Sequence, residues 1–273
     1  MRMREMAGIV GLVWLLSGSL LGQSWTLPQG VALKDTGART YHFTVDHTVS
    51  DTKGQVVQRQ RVSADYTRGL AGGEAIWKNV TVAESNGPAE ISGAGVRREF
   101  MEGFRYHTGP ASLGDSMKPE FFARFPPSAV FERNLVWDTG MIEMFGQDQF
   151  EHLKLNEPYR LLSGQDVNLP GVGTFHNRDV QLTWVGRSQR NAQECAVIEY
   201  RAFFNPLAIA NGGMTLNGRS HYWGQIWVST GTRQIEYATL YEDVLGELKL
   251  PGQDATQIIN VFRNGVFEPV AAR

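Results

Sequence analysis

The sequence predicts a mainly β protein of the α+β kind: a curled antiparallel sheet or half-barrel with mid-chain helices packed on one face. Three observations point there. Apolar residues alternate with a period of two in runs near the start of the chain and again after about residue 179. The 273 residues include 30 Gly, 14 Phe, 8 Tyr and 7 Trp, a composition suited to strands joined by tight turns. Helical patterns are confined to a stretch near 118–153, so strands cluster on either side of one helical insert.

The first segment has a separate logic. Arg2 and Arg4 precede the apolar stretch 9–16, and Ser17, Gly18, Ser19, Gly22 and Ser24 follow it. That order predicts a secretory signal peptide over residues 1–24, cleaved near Gly22 to Ser24, and a single β-rich domain over 25–273. The apolar run is interrupted by Gly and Ser and is shorter than the roughly 20 residues a spanning helix needs, so no membrane anchor is expected after cleavage. The expected location is exported, periplasmic or extracellular. The formal net charge of −2 becomes −3 once Arg2, Arg4 and Glu5 are removed, which argues against a nucleic-acid partner. The lone Cys195 excludes an internal disulfide and lies in the strand-like run 194–198, where it reads as a small buried hydrophobe.

The elements follow in order. Tyr41, Phe43 and Val45 form the dry face of a first strand, and Asp51-Thr52-Lys53-Gly54 turns the chain. The return strand to Thr67 puts Val56, Gln58, Gln60, Val62, Ala64 and Tyr66 on one face and Val57, Arg59, Arg61, Ser63 and Asp65 on a wet one. Asp46, His47, Arg59 and Arg61 are assigned to solvated faces. A third strand covers 75–83. A short helix is expected from Lys118 to Phe125, stopped by Pro126-Pro127. A second is expected from an N-cap at Asp138 to about Leu153, with Met141, Ile142, Met144, Phe145, Phe150 and Leu153 as its apolar stripe. Strands resume near Asp179, the return strand 194–204 ends at Asn205-Pro206, and a last strand covers 257–263 before a turn at Asn264-Gly265. The count comes to about eight strands.

One hairpin, 218–246, carries most of the candidate chemistry. A two-residue type II′ turn at Gly231-Thr232 pairs Thr230 with Arg233 and continues outward. One face then holds Tyr222, Ile226, Val228, Ile235, Tyr237 and Tyr241. The other pairs Trp227 with Glu236, Gln225 with Ala238, Trp223 with Leu240 and His221 with Glu242. A His beside a carboxylate is a possible acid–base pair, and Glu199 and Arg201 could join it. No phosphate loop, His-Glu-x-x-His, EF-hand or Gly-x-Ser-x-Gly spacing occurs, so no cofactor or metal is expected.

A signal segment, a long meander, mid-chain helices and the aromatic runs 218–228 and 235–242 together resemble, in layout, the half-barrel of periplasmic lipoprotein carriers, and these runs look like a strand pair from exported bacterial proteins. The resemblance implies a sheet whose concave face is plugged by helices around a greasy cavity. The expected function is therefore non-catalytic binding of an apolar or lipid-like ligand in that cavity, with Trp223, Trp227, Met141, Met144, Phe145, His221 and Glu242 as ligand-binding residues. The alternatives are a hydrolase-type enzyme using His221 and Glu242, and an envelope interaction module that pairs with a protein partner along a sheet edge.

Overall fold

The computed structural model describes residues 27–35 and 37–271. The expected signal peptide lies outside the described residues. Eleven strands form one antiparallel sheet: β1 (Arg39–Ser50), β2 (Val56–Leu70), β3 (Glu74–Asn86), β4 (Val96–Arg97), β5 (Phe104–His107), β6 (Pro158–Leu169), β7 (Gly173–Arg190), β8 (Gln193–Asn211), β9 (Met214–Ser229), β10 (Ile235–Lys249) and β11 (Gln257–Pro269). Their order is β4-β3-β2-β1-β11-β10-β9-β8-β7-β6, with β5 paired to β3, and the sheet does not close. The first and last strands therefore pair in the middle of the sheet, from Tyr41 opposite Pro269 to Ser50 opposite Asn260.

This arrangement explains the helical insert. The segment between β5 and β6 must travel from one edge region to the other, and it does so across one face. It contains α1 (Ser112–Asp115), a 3-10 turn at Pro119–Phe122 and α2 (Val130–Glu143). A π-helical turn, Met144–Asp148, and a 3-10 turn, Phe150–His152, continue from α2. The main core lies between this segment and the inner sheet face, with Phe43, Trp77, Trp184, Ile198, Ile226 and Phe267 buried against Leu135, Ile142 and Phe145. Gly146 permits the closest approach. A Cβ there would sit 3.0 Å from Ile226 Cγ2 and 3.2 Å from Val228 Cγ2.

The first hairpin follows the expected alternation: Tyr41, Phe43, Val45, Val62, Ala64 and Tyr66 are all buried. Its turn is held by the Asp51 carboxylate, which accepts from the Lys53 and Gln55 amides at 2.8 and 2.9 Å.

Four expectations are corrected. Asp138 is no N-cap: α2 begins eight residues earlier, and the Asp138 carboxylate lies in mid-helix on Arg263 of β11. β8 runs through Asn205-Pro206 by means of a bulge, with Phe204 at φ 58°. β11 likewise passes Asn264-Gly265 without turning. The edge strand β6 has no expected counterpart, because its largely exposed residues show no dry face to read.

Candidate functional site

The hairpin of β9 and β10 decides which side chains can meet. The loop is longer than expected. Ser229 N–H donates to the Gln234 carbonyl at 2.9 Å, and Arg233, at φ 59°, takes the left-handed position rather than Gly231. Arg233 is held there by Glu151 at 2.7 Å and lies over the Phe150 ring. The Val228–Ile235 pair agrees with the expected register, but a bulge at Glu236 then shifts β10 by one residue. Glu236 is tied to Arg39 by a salt bridge of 2.6 Å.

That single step changes the face of every later residue in β10. Tyr241 now opposes Trp223, Tyr237 opposes Trp227, Asp243 opposes His221 and Glu242 opposes Tyr222. Trp223 stacks on Tyr241 at 5.8 Å and Trp227 meets Tyr237 edge-on at 5.2 Å, on the outer face of the sheet. His221 is also outside, against Phe203 and Phe204. Glu199 and Arg201 bond to Gln225 and Gln181 on that same outer face. Glu242 points inward and is buried. The expected His221–Glu242 pair is therefore split between opposite faces, and the two tryptophans do not reach the cavity.

The cavity itself is present. It is partly open, encloses about 610 Å³ and lies between α2 and the inner face of the sheet. Val130, Phe131, Asn134, Trp137, Asp138 and Met141 present one helical stripe to it. On the sheet side, Leu207, Leu216, Val244 and Ile259 form a second apolar cluster, joined by Val49, Phe175, Ile209, Leu248 and Val261. All nine of these line the cavity. Of the expected ligand-binding residues, Met141 and Glu242 line it. Met144 packs on the main core, and Phe145 is buried within that core.

Between the main core and the second cluster runs a row of polar residues that the sequence reading did not assemble. Gln60, His47, Arg263, Glu242 and Tyr222 are successive cross-strand neighbours on β2, β1, β11, β10 and β9. Arg263 donates through Nη1 to Glu242 and through Nη2 to Asp138. Ser220 Oγ donates to the other Glu242 oxygen at 2.5 Å, and Tyr222 OH donates to Asn177 Oδ1 at 2.9 Å. Burial pushes the Asp138 carboxyl up to about 6, a rise that the neighbouring Arg263 limits and Glu242 augments. Burial pulls the other way on Arg263, but its two carboxylates outweigh it and hold the guanidinium above its ordinary value. Burial and then the Arg263 charge hold His47 well below the ordinary histidine value, against a small opposing pull from the backbone of Val45 and Gln60. His47 is thus a buried neutral imidazole, set edge-on to Phe131 at 5.0 Å, and not part of a wet face. The available signal was parity: His47 shares the phase of Tyr41, Phe43 and Val45, and Gln60 that of Val62 and Ala64.

Among the described residues, no cluster of three or more His, Cys, Asp or Glu side chains is placed to hold a metal, and no helix is long and apolar enough to cross a membrane. Cys195 is buried, and desolvation pushes its thiol up to about 11.

No family model matches the chain, and no curated protein matches its sequence. Two solved structures align with this chain at low similarity. One, concerned with lipid–protein interactions in lipovitellin, aligns over 86% of this chain with a TM-score of 0.41 and 10% identity. This chain spans only 25% of that one. The other is a Bacteroides fragilis protein of YmcC-like fold, described as exported, with a TM-score of 0.17 and 9% identity. It covers 81% of this chain and 93% of its own. Neither likeness is close enough to speak to what this chain binds.

Proposed function

We propose that this chain is an exported binding protein that holds an apolar, lipid-like molecule between α2 and the sheet, without acting on it chemically. The observation that supports this reading is the cavity of about 610 Å³ with its second apolar cluster. That volume falls in the range of about 300–1,000 Å³ usual for small-molecule sites, which are mostly apolar with a few placed polar groups. Each methylene moved from water into such a site contributes about 0.8 kcal/mol, or close to fourfold in affinity. The soft Met117, Met141 and Met214 side chains at the wall allow chains of differing shape to fit.

The test is a chain-length series of alkyl ligands against the purified protein, together with organic extraction and mass spectrometry of protein taken from its own envelope. Affinity should rise about fourfold per methylene until the cavity is filled. A flat series and a lipid-free extract would refute the proposal.

A further inference from the structure

The cavity has a closed end and an open end. Asp138 on α2 and Glu242 on β10 both accept from Arg263 on β11, so a side-chain bridge spans the gap between helix and sheet at this level. Trp137 and Tyr222, which line the cavity beside the bridge, are buried. The two carboxylates and the Tyr222 hydroxyl are already engaged, by Arg263, Ser220 and Asn177, so the bridge meets a ligand as a wall and not as a binding group. At the other end, Gln58, Asn211, Met214 and Leu248 are only half-buried and Ser128 is exposed. Asn211 ends β8, Met214 begins β9 and Leu248 stands next to the end of β10, so the rim follows the ends of the strands.

Strand geometry gives the depth. From Glu242 at the closed end to Leu248 at the rim, β10 advances six residues, or about 20 Å at roughly 3.3 Å each. A volume of about 610 Å³ over about 20 Å leaves a mean section of about 30 Å². Apolar chains in contact lie about 4.0–4.5 Å apart, so each takes up about 16–20 Å². The shaft is therefore wide enough for one alkyl chain and too narrow for two side by side. An extended chain with bonds near 1.5 Å advances about 1.25 Å per carbon, so about sixteen carbons reach from rim to bridge. The wall between is apolar, with Val130 and Phe131 on the helix and Leu216, Val244 and Ile259 on the sheet. Among the described residues, the Asp, Glu, Lys and Arg side chains that line the cavity are those of the bridge, so the rim makes no demand on the charge of a head group.

We infer that the site takes a single-chain amphiphile tail-first, up to about sixteen carbons long, with its head left at the rim beside Gln58, Ser128 and Asn211, and that it excludes lipids whose two chains must enter together. This inference rests on the lipid-binding reading and specifies its ligand class.

The experiment is isothermal titration calorimetry of the full chain with alkylphosphocholines of eight to eighteen carbons, each kept below its micelle concentration, and with dihexanoylphosphatidylcholine. Affinity should rise about fourfold per methylene and level off near sixteen carbons. Dihexanoylphosphatidylcholine has the head group of dodecylphosphocholine and divides twelve carbons over two chains. It should bind at least about a hundredfold more weakly than dodecylphosphocholine, because its second chain stays in water and each methylene left there forgoes about fourfold. Val244→Phe, two residues from Glu242, lengthens a side chain at the closed end by about 3 Å and should move the break down by about two carbons. Dihexanoylphosphatidylcholine binding within tenfold of dodecylphosphocholine would overturn this inference and leave the cavity reading intact. So would affinity that levels off before about twelve carbons or still rises at eighteen, or a break that Val244→Phe leaves in place. If no alkylphosphocholine binds, the lipid-binding reading itself falls. Should Val244→Phe not fold, the two-chain comparison and the break in the unaltered chain decide the matter.

Discussion

Replacing Arg263 by methionine removes the one cation of the polar row and leaves Asp138 and Glu242 buried without a counter-charge. Breaking a buried ion pair from one side costs about 3–5 kcal/mol, because the remaining charge keeps its desolvation penalty. For a chain of this size each kcal/mol lowers Tm by about 2–4 °C, so the variant should melt roughly 6–20 °C below the unaltered protein near pH 8. The loss should depend on pH in a defined direction. With Arg263 in place, the Asp138 carboxyl already stands at about 6, above its ordinary 3.8. A folded-state value raised above the unfolded one means that the folded chain takes up this proton first. The cost of the charge is therefore complete above about pH 6 and is relieved as pH falls through that value towards 4. Without Arg263 the carboxyl rises further, and relief begins at a higher pH. Thermal unfolding followed by near-ultraviolet circular dichroism at about pH 8 and pH 5 measures both effects. A loss below about 3 °C at pH 8, or a loss equal at the two pH values, would refute the reasoning.

Five further outcomes are expected. Met141→Glu places a carboxylate at the cavity wall and should abolish uptake of alkyl ligands with the far-ultraviolet spectrum retained; Trp223→Ala, on the outer face, should change uptake by less than about twofold, since surface substitutions away from a site have small effects. In Asp138→Asn, the stability gained on going from about pH 7.5 to pH 5 should be smaller than in the unaltered chain by about 1.4 kcal/mol, because about one pH unit below the Asp138 value of about 6 is crossed in that interval; an identical pH slope in chemical denaturation would contradict the assignment. Gly146→Val drives a branched side chain into Ile226 and Val228 and should cost about 1–3 kcal/mol by overpacking, read as a drop in Tm. Cys195 should react with a thiol reagent at about pH 8 only after the protein is unfolded in guanidinium, because reactivity follows the exposed thiolate; prompt labelling of the native chain would contradict its burial.

The parts of the fold legible in the sequence are those settled within one hairpin. In β1 and β2 every second residue is dry, and the alternation assigns Tyr41, Phe43, Val45, Val62, Ala64 and Tyr66 to the buried face, His47 being the one residue of that phase read as wet. The candidate site was less legible because its geometry is settled by partners far away in the chain. The bulge at Glu236, which turns Glu242 inward and leaves His221 outside, is held by Arg39, 197 residues earlier. Asp138 has the local appearance of a helix cap, yet its carboxylate is engaged by Arg263, 125 residues later. His47 stands between the polar Asp46 and Thr48, and only its phase within the strand shows that it faces the core. Local propensity carries no information about such pairings. A polar residue at a dry position in a strand does, and here His47, Gln60, Glu242 and Arg263 are all of that kind.

The central pairing of β1 with β11 has a consequence for how the chain matures. Among the described strands the one latest in the sequence, β11, joins the two wings of the sheet, β1–β5 on one side and β6–β10 on the other. Each wing can zip up from neighbouring hairpins while synthesis continues, but the seam between them spans nearly the whole chain and forms only when residues 257–269 have arrived. Contacts of such wide sequence separation fold slowly and expose unpaired strand edges in the meantime. Until the seam forms, β1 and β10 each present a bare edge, and the groups that line the cavity sit on two separate pieces: His47 and Gln60 on one, Glu242 and Tyr222 on the other. Arg263 belongs to the strand that unites them. The cavity is therefore assembled only once residues 257–269 are in place, and the interval before that is when a chaperone has the most to shield.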